Sequence, residues 1–259
     1  MGLLMRRFFI DEILGSQGSV TITGAEAKHI ATVLRMGPGE RIVLLDQAGG
    51  RFLAVIKELN RRRVLVDLER PLPSPGPSPV RLTLCQALIK SNPMDLLVEK
   101  TSELGVDRIL PYIADRTVVK VDAEKARHKV RRWQEIAQSA AKQSDRAMPA
   151  AIGPLQSFDE LLAGLQTESD LKILLWEQED TRTLKDLLSI SPASGVLAMV
   201  GPEGGFTERE VTAAWRAGFV PVSLGRRILR AETAAITLVA ILQYEWGDLS
   251  LFAAGSIGD

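Results

Sequence analysis

The sequence predicts an α/β protein in which a small β-barrel domain precedes a larger domain built on a parallel sheet. Three observations predict this architecture. Short β-type runs fill residues 1–70, prolines occupy every second position over 71–79, and strand-like and helix-like segments alternate over 80–259. Such a proline pattern continues neither a helix nor a central strand, so we expect 71–79 to be a semi-rigid linker between the two domains.

The first domain is predicted from five runs of apolar and β-branched residues. These runs are Arg6–Ile10, Ser19–Ile22, Arg41–Leu45, Arg51–Ile56 and Arg63–Leu68. Glycine-containing turn signals at 37–39 and 49–50 separate several of them. One helix, about Ala25–Leu34, interrupts the strands and has an apolar side at helical spacing. Five strands and one helix predict a compact barrel.

The second domain is predicted from further strands and helices in alternation, which is typical of a parallel sheet covered by helices. Strands are expected at Val80–Ala87, Arg108–Ile113, Leu171–Trp176, Gly195–Val200 and Val220–Leu224. Helices are expected at Pro93–Leu104, at Asp122–Ser144, from Thr207 onward and at Glu232–Trp246. The last helix is apolar on most sides, which predicts burial in the core or at a subunit contact.

Composition and charge are those of an ordered globular protein. Of the 259 residues, 46% are hydrophobic and 25% are charged, and the formal net charge is zero. These values exclude a disordered chain. The charge is uneven, because 1–70 and 120–146 are net positive and 151–190 is net negative. The basic stretches permit a polyanionic partner, although ordinary solvated faces account for the same counts.

Cysteine and histidine usage exclude several site types. The single cysteine, Cys85, excludes an intramolecular disulfide framework and fits a reducing compartment. His29 and His128 are the only histidines, and both are expected to be structural or solvated, so we expect no metal. Arg6 and Arg7 follow the short apolar start, which predicts no signal peptide. No apolar run reaches the roughly 20 residues of a membrane span, so we expect a cytoplasmic protein without a membrane partner.

A glycine-rich loop follows the apolar strand at Gly195–Val200. Residues Gly201–Phe206 contain three glycines, and Thr207 and Glu210 then have the spacing of a capping box at a helix start. Glycines allow main-chain N–H groups to approach a ligand closely, and parallel-sheet folds bind ligands at the carboxyl ends of their strands. The loop therefore predicts a nucleotide-like cofactor, with an ordinary tight turn as the alternative.

A second loop carries three arginines within five positions, at Arg226, Arg227 and Arg230. Ile228 and Leu229 lie between them and are apolar in a predicted loop, which indicates burial against a flat apolar group such as an adenine ring. The arginines could instead be solvated charges. Dinucleotide, phosphate-loop, zinc-protease and serine-hydrolase motifs are absent from the sequence.

These two loops resemble those of the SPOUT class of knotted methyltransferases. The resemblance lies in Gly201-Pro202-Glu203-Gly204-Gly205-Phe206 and in Leu224-Gly225-x-x-Ile228-Leu229-Arg230-x-Glu232-Thr233-Ala234. Further matches are Arg6-Arg7-Phe8-Phe9, His29-Ile30, Val33-Leu34-Arg35-Met36, Lys100 with Glu103-Leu104-Gly105-Val106, and Gln143 with Arg146. Together they resemble the 16S ribosomal RNA uridine N3-methyltransferase family over nearly the whole chain.

The resemblance implies a fold and a reaction. It implies that residues 1–70 form a PUA-like β-barrel that binds RNA and that 80–259 form a methyltransferase domain with a C-terminal trefoil knot. It implies S-adenosylmethionine as the cofactor and 16S rRNA, within the assembled small ribosomal subunit, as the substrate. It also implies a homodimer and no requirement for metal.

The resemblance also implies site residues. The cofactor-binding set is Leu175, Gly201, Glu203, Gly204, Leu224, Gly225, Ile228, Leu229, Thr233 and Ala234. The RNA-binding set is Arg6, Arg7, Arg35, Lys100 and Arg226. Arg230 is expected to stabilise the uridine anion, and Glu232 either accepts a proton or orients Arg230. An arginine paired with Glu232 for structural reasons, and a Glu232 that only favours the helix dipole, are the alternatives.

Three positions depart from the family pattern. Lys142 stands where an acid is usual, Arg226 where proline follows Leu224-Gly225, and Ala231 where threonine precedes Glu232. Family members commonly begin with Met-Arg-Arg, so we expect Met5 to be the initiator. Two other functions remain open: a knotted methyltransferase that acts on another RNA, such as a transfer RNA ribose 2′-hydroxyl, and a non-catalytic RNA-binding assembly factor. The leading β domain argues against the first.

Overall fold

The chain divides into two compact units in a computed structural model. The structure describes residues 5–15, 18–74, 76–165, 171–189 and 192–249. The first unit comprises Met1–Gly76 and Ala141–Met148, and the second comprises Pro77–Ala140 and Pro149–Asp259. Within the described ranges, no helix combines the length and apolar character that crossing a bilayer requires. The expectation about the residues before Met5 lies outside the described part of the chain.

The first unit is a curled five-stranded sheet with one helix. Its strands are β1 (Arg7–Phe9), β2 (Gly18–Thr23), β3 (Arg41–Leu45), β4 (Arg51–Leu59) and β5 (Arg63–Pro71). Their order is β1-β3-β4-β5-β2, with β1 parallel to β3 and every other pair antiparallel. The five strands expected from the sequence are confirmed, and β4 and β5 are each three residues longer than expected.

The predicted helix of the first unit changes its hydrogen-bond period halfway along. The α-helix α1 covers Gly24–Lys28, and a π-helical turn covers His29–Val33. Ala27 and Ile30 are fully buried and pack into the apolar cluster that the sheet encloses. The wider turn brings the amide of Met36 to the carbonyl of Ile30 at 3.1 Å. Periodicity predicts the helix, but tertiary packing decides where it widens.

The second unit is built on a parallel sheet. Its strands are β6 (Arg81–Ala87), β7 (Arg108–Ile113), β8 (Ala151–Ile152), β9 (Gln156–Ser157), β10 (Leu171–Leu175), β11 (Gly195–Val200) and β12 (Val220–Val222). The order is β12-β10-β11-β6-β7-β8, and β9 also pairs with β7. The five strands expected here are confirmed, and those expected at Leu171–Trp176 and Val220–Leu224 end one and two residues earlier than expected.

Helices cover both faces of this parallel sheet. They are α2 (Ser91–Glu103), α3 (Ala123–Gln143), α4 (Phe158–Gly164), α5 (Leu184–Leu188), α6 (Glu208–Arg216) and α7 (Ala231–Glu245). Side chains alternate between faces along β11, where Val196, Ala198 and Val200 join the cluster under α2, α3, α5 and α7. Leu197 and Met199 join the cluster under α4 and α6. The result is a three-layer α/β/α arrangement, which is the predicted class.

Two helices and two strands were not expected from the sequence. The strands β8 and β9 have two residues each, too few for a period to be visible, and α5 has five residues. The starts of α4 and α5 are nevertheless marked by capping boxes, Ser157 with Glu160 and Thr183 with Asp186. These boxes are a sequence signal that we did not use.

Residues 141–148 pack with the first unit, although they are distant from it in sequence. Asp145 has a φ of 60°, which is left-handed and uncommon for a non-glycine residue. Its Oδ1 lies 2.6 Å from Arg7 Nε and 2.7 Å from Arg51 Nη2. Two guanidinium groups therefore hold this turn in place.

Lys142 departs from the family pattern and has a partner of its own. Its ammonium group forms an ion pair with Glu26, and its Nζ lies 5.9 Å from the ring centroid of Phe8 and 6.0 Å from that of Phe9. A carboxylate and two ring faces thus surround the lysine charge. The substitution is accommodated within the first unit.

Candidate functional site

A cavity of about 680 Å³ lies in the second unit at the carboxyl ends of β10, β11 and β12. These three strands are neighbours in the sheet, so the loops that follow them converge at one edge. The cavity is lined by Leu175–Glu177, Val200–Gly205, Val222–Glu232, Ala234, Lys90 and Pro93. Its volume is within the range of about 300–1,000 Å³ that is usual for small-molecule sites.

The glycine loop after β11 is shaped by close neighbours. A Cβ added at Gly201 would come within 3.0 Å of the Phe206 ring. A Cβ at Gly205 would meet the Glu177 carboxylate, and Gly205 has a φ of +69°. Both positions therefore require glycine for reasons inside the protein.

The main chain of Gly204 lines the cavity, but a side chain there would point toward Arg116. Its added Cβ would lie 3.0 Å from Arg116 Cβ and 3.3 Å from the Arg116 carbonyl oxygen. The Arg116 Nη1 also donates to the Gly204 carbonyl at 3.1 Å. A side chain at Gly204 would therefore press on Arg116, so its effect on a ligand would act through a displaced loop.

Tyr112 fixes the residue at which the glycine loop begins. Its ring is fully buried, and its hydroxyl donates to the Val200 carbonyl at 2.9 Å. Burial raises the pKa of this hydroxyl well above its ordinary value, so it keeps its proton. The Tyr112 side chain on β7 thus fixes the position of the carbonyl at the end of β11.

Glu210 fastens the other end of the glycine loop. It is fully buried in α6, and its Oε1 accepts from the Asp115 amide at 2.9 Å. Its Oε2 accepts from the amide and hydroxyl of Thr207, both at 2.9 Å, which confirms the predicted capping box. The carboxylate therefore joins the loop after β7 to the start of α6.

Asp115 adds an ion pair to the same junction. Its two oxygens accept from Arg209 Nε and Nη2 at 3.1 and 3.0 Å, and Arg209 Nη1 also donates to Asp159 at 3.0 Å. The Arg209 guanidinium lowers the pKa of the Asp115 carboxyl, with a smaller contribution from the Thr207 hydroxyl. The glycine loop is thus bounded by a fixed framework.

The loop after β12 has the opposite character, because much of it is exposed. Gly225 has a φ of +105°, and a Cβ there would meet no atom within 4 Å. Ile228 is 87% exposed although it is apolar, whereas Leu224 and Leu229 are half-buried. An exposed isoleucine in a cavity wall is consistent with the ligand-facing apolar pair that the sequence indicates.

Arg230 and Glu232 lie where the arginine loop joins α7. Arg230 is the N-cap residue of that helix, and Glu232 is in its first turn. Both line the cavity. Neither forms an ion pair with any residue in the described part of the chain, so the structural pairing of the two is not observed.

The cavity brings together most of the expected cofactor residues. Leu175, Gly201, Glu203, Gly204, Leu224, Gly225, Ile228, Leu229 and Ala234 all line it. Thr233 does not, because successive residues of a helix point about 100° apart and its side chain is exposed beside the cavity. The amide of Lys90 donates to Glu203 Oε1 at 3.2 Å, which joins the loop after β6 to the glycine loop.

The expected RNA-binding residues belong to both units. Arg226 lines the cavity, whereas Arg6 and Arg35 are exposed in the first unit. The Arg7 side chain is only 15% exposed, and Asp145 compensates its charge in an ion pair. Lys100 does not line the cavity.

Lys100 is neutralised on the surface of α2. Its Nζ lies 2.7 Å from Glu99 Oε1 and 2.9 Å from Glu103 Oε1. The hydrogen bond to Glu99 raises the pKa of the lysine, and that to Glu103 adds to the effect. Two carboxylates thus share the lysine charge, and its assignment to RNA binding stays a prediction.

Apolar walls and hydrogen-bonding groups together line the cavity. This combination fits a ligand with an aromatic base and charged ends. Trp176 lines the cavity, and its indole nitrogen is buried without a hydrogen-bond partner among the described residues. Apolar walls at Leu224, Ile228 and Leu229 alternate with main-chain groups of both loops. Within the ranges the structure describes, no cluster of histidine, cysteine and acidic residues could hold a metal ion.

Sequence reasoning missed several residues around the cavity. Trp176, Glu177, Lys90 and Pro93 line it without belonging to either glycine or arginine motif. A tryptophan at the end of a predicted buried strand and a glutamate directly after it were a usable signal, since that strand ends at the same edge of the sheet. Tyr112, Asp115 and Arg116 lie about 90 residues from the loop that they support, and no local pattern marks them.

Comparison with known proteins identifies the family. Residues 76–243 match the model of an RNA methyltransferase domain, and residues 22–69 match that of an RNA methyltransferase PUA domain. The chain is 30% identical to the ribosomal RNA small subunit methyltransferase E of Bacillus subtilis over 93% of its own length and 97% of the relative's. The chain belongs to the ribosomal RNA small subunit methyltransferase E family. The Mycobacterium tuberculosis member is 32% identical, with 92% of each chain covered.

Two solved methyltransferase structures share the fold over nearly the whole chain. The Neisseria gonorrhoeae enzyme, crystallised with S-adenosyl methionine, is 36% identical and has a TM-score of 0.86 over 94% of this chain and 99% of its own. A Legionella pneumophila methyltransferase in complex with the same cofactor is 31% identical and has a TM-score of 0.87, with 95% and 99% covered. Both units of the chain therefore have the family fold, and the PUA-like first unit is confirmed.

Proposed function

We propose that the chain uses S-adenosylmethionine to methylate N3 of a uridine in 16S ribosomal RNA. The observation that carries this proposal is the convergence of the glycine and arginine loops on one cavity at the carboxyl edge of the sheet. Membership of the methyltransferase E family and two similar structures that hold this cofactor support it. The cytosol is the compartment in which such a substrate is found.

The cofactor would lie against residues that the cavity already provides. Main-chain groups of Gly201, Leu224 and Leu229 would bind its polar edges, with Leu175 and Ile228 as apolar walls. The buried indole N–H of Trp176 supplies a further donor. When bound, S-adenosylmethionine supplies an electrophilic methyl group, so the protein has to position the acceptor and stabilise its charge.

Arg230 and Glu232 are assigned to the acceptor side of the reaction. Uridine N3 must lose its proton before it can accept the methyl group, which leaves negative charge shared with the neighbouring carbonyl oxygens. The unpaired guanidinium of Arg230 stabilises that charge. An arginine cannot act as a base in proteins, so Arg230 cannot take the proton itself. Glu232 accepts the proton or orients the arginine.

RNA docking is assigned to Arg6, Arg35 and Arg226. All three are exposed and none is paired with a carboxylate among the described residues. Arg35 has a φ of 51°, a conformation that a non-glycine residue rarely adopts and that often marks a functional position. Their charges are expected to set RNA affinity rather than the rate of the chemical step.

We infer a homodimer in which α7 contributes to the subunit contact. Its Tyr244 is 65% exposed, and Leu96 of the neighbouring α2 is also exposed. Light scattering of the purified chain at micromolar concentrations is expected to give twice the monomer mass, and a monomer would contradict the inference. The C-terminal knot stays a prediction, because strand order does not describe how a chain threads.

Two measurements test the proposed function. Calorimetry should detect S-adenosylmethionine binding, and mass spectrometry of 16S ribosomal RNA from a strain lacking the gene should show the loss of one N3-methyluridine. Restoration by the wild-type gene is the control. Binding without any missing methyl group would favour a non-catalytic assembly factor, and a missing ribose methyl group would favour another RNA methyltransferase.

A further inference from the structure

Three consecutive arginines form the tip of the hairpin between β4 and β5. We call Arg61, Arg62 and Arg63 the arginine turn. The amide of Asn60 donates to the carbonyl of Arg63 at 2.8 Å, which closes the hairpin. The Asn60 Oδ1 accepts from the amides of Arg62 and Arg63, both at 2.9 Å. The tip is therefore an ordered turn that holds its arginines in fixed positions.

The arginine turn has almost no compensating negative charge. All three residues are exposed. Arg61 and Arg62 have no ion-pair partner in the described part of the chain, and Arg63 has only Glu58, at 3.9 Å and with both side chains mostly exposed. Three like charges in sequence repel one another, and among the described residues only the long contact between Arg63 and Glu58 offsets them.

Two other cations of the same sheet form close ion pairs. Arg41 lies 2.9 Å from Glu69, and Lys57 lies 3.0 Å from Asp67. The Asp67 carboxylate also accepts from Ser19 at 2.7 Å. Arg41 and Lys57 are exposed and have carboxylate partners, which Arg61 and Arg62 lack among the described residues.

Turn formation does not account for the arginines either. Two-residue hairpin connections favour glycine and asparagine, which adopt positive φ easily. Among the described non-glycine residues only Arg35 and Asp145 have positive φ, so the central Arg61 and Arg62 do not adopt such a turn. The Asn60 side chain closes the turn instead. Arginine at these positions thus has no local structural reason, which is typical of residues kept for a ligand.

We propose that the arginine turn binds the phosphate backbone of the RNA substrate. This rests on the proposed function. Closely spaced guanidinium groups match the repeated charge of a phosphate backbone and can each make paired hydrogen bonds to one phosphate. Asn60 and the three arginines contain no apolar side chain that would enter a membrane. They also lie within residues 22–69, which match an RNA methyltransferase PUA domain.

The test compares two triple variants of the full chain. One variant is Arg61→Gln, Arg62→Gln and Arg63→Gln, and the other is Arg41→Gln, Lys57→Gln and Arg70→Gln, which removes the same charge elsewhere in the first unit. Binding to small-subunit ribosomal particles is measured by filter retention from 50 to 200 mM KCl. Circular dichroism checks folding, and the double variant Arg61→Gln/Arg62→Gln serves if the triple variant is unstable.

The arginine-turn variant is expected to bind at least tenfold more weakly at low salt. Its slope of log affinity against log salt should be smaller by about 2, because each lost phosphate contact removes about 0.7–0.9. Its calorimetric affinity for S-adenosylmethionine should equal that of the wild type. A wild-type salt slope, or an equal loss in the matched control, would overturn the proposal. Methylation by the wild type tests the proposed function separately, so the two failures are distinguishable.

Discussion

The Tyr112 hydroxyl donates a 2.9 Å hydrogen bond to the main-chain carbonyl of Val200, the last residue of β11. The two residues are 88 positions apart in the chain. Val200 immediately precedes the glycine loop, so this bond fixes the point from which the loop leaves the sheet. Burial raises the pKa of this hydroxyl, so it stays a hydrogen-bond donor at neutral pH and positions the loop.

Replacement of Tyr112 by phenylalanine should weaken both the fold and the cofactor site. It leaves a buried carbonyl without its partner, which costs about 1–3 kcal/mol of unfolding free energy. We expect a several-fold loss of S-adenosylmethionine affinity by calorimetry and a lower urea midpoint. Ser19→Ala is the control, because it removes an exposed hydroxyl of the first unit whose partner is Asp67. Equal affinity in the two variants would show that Tyr112 does not position the loop.

Gly204→Ala should reduce cofactor affinity by displacing the loop. The added Cβ would lie 3.0 Å from Arg116 Cβ, which requires a shift of main chain on one side or the other. We expect about tenfold weaker binding together with a loss of stability of about 1–3 kcal/mol, as for other overpacked sites. Gly164→Ala is the control, because nothing lies within 4 Å of its added Cβ. An unchanged urea midpoint with abolished binding would instead indicate that Gly204 contacts the cofactor directly.

Arg230→Ala should slow methyl transfer without weakening cofactor binding. The expected loss is about 10²–10³ in rate, as when one charge-stabilising donor is removed. Arg230→Lys should restore the rate only in part, since a point charge cannot span two acceptors. The measurement is single-turnover methylation of small-subunit particles at saturating S-adenosylmethionine. A near-normal rate in the alanine variant would shift attention to Arg226.

The Asp115 and Arg209 pair should contribute stability that depends on pH. Because the pKa of Asp115 is lowered in the folded state, its contribution is complete above the unfolded value of about 3.9 and is lost as pH falls through the folded value. Asp115→Asn should therefore lower the urea midpoint at pH 7 and pH 5 equally, with the difference shrinking below about pH 4. Exposed Asp180→Asn is the control. A difference that grows on acidification contradicts the assignment.

Arg7→Ala should destabilise the first unit, whereas Arg6→Ala should not. Arg7 is paired with Asp145, while Arg6 is exposed and makes only a 3.4 Å contact to the Leu34 carbonyl. We expect Arg7→Ala to cost about 1 kcal/mol by chemical denaturation, since it removes a hydrogen-bonded partner of a carboxylate. Equal denaturation midpoints for the two variants would return Arg7 to the RNA-docking set.

Much of the architecture was predictable because residues close together in the sequence determine it. The strands at Arg41–Leu45, Arg108–Ile113 and Gly195–Val200 have the predicted bounds. The start of α6 was marked by Thr207 and Glu210, whose side chains and amides pair within one turn. Convergence of the two loops also followed from sequence, because consecutive strands of a parallel sheet present their carboxyl ends at one edge.

Only the tertiary structure decided which groups those local patterns would contact. The neighbour of Gly204 is Arg116, and the ion-pair partner of Arg7 is Asp145. Glu210 caps its own helix as predicted, but it also accepts from Asp115, 95 residues away. Caps and strands depend on residues a few positions apart, so the sequence alone determines them. Close packing and ion pairing depend on which distant segments the folded sheet brings within a few ångströms, and no local pattern records that distance.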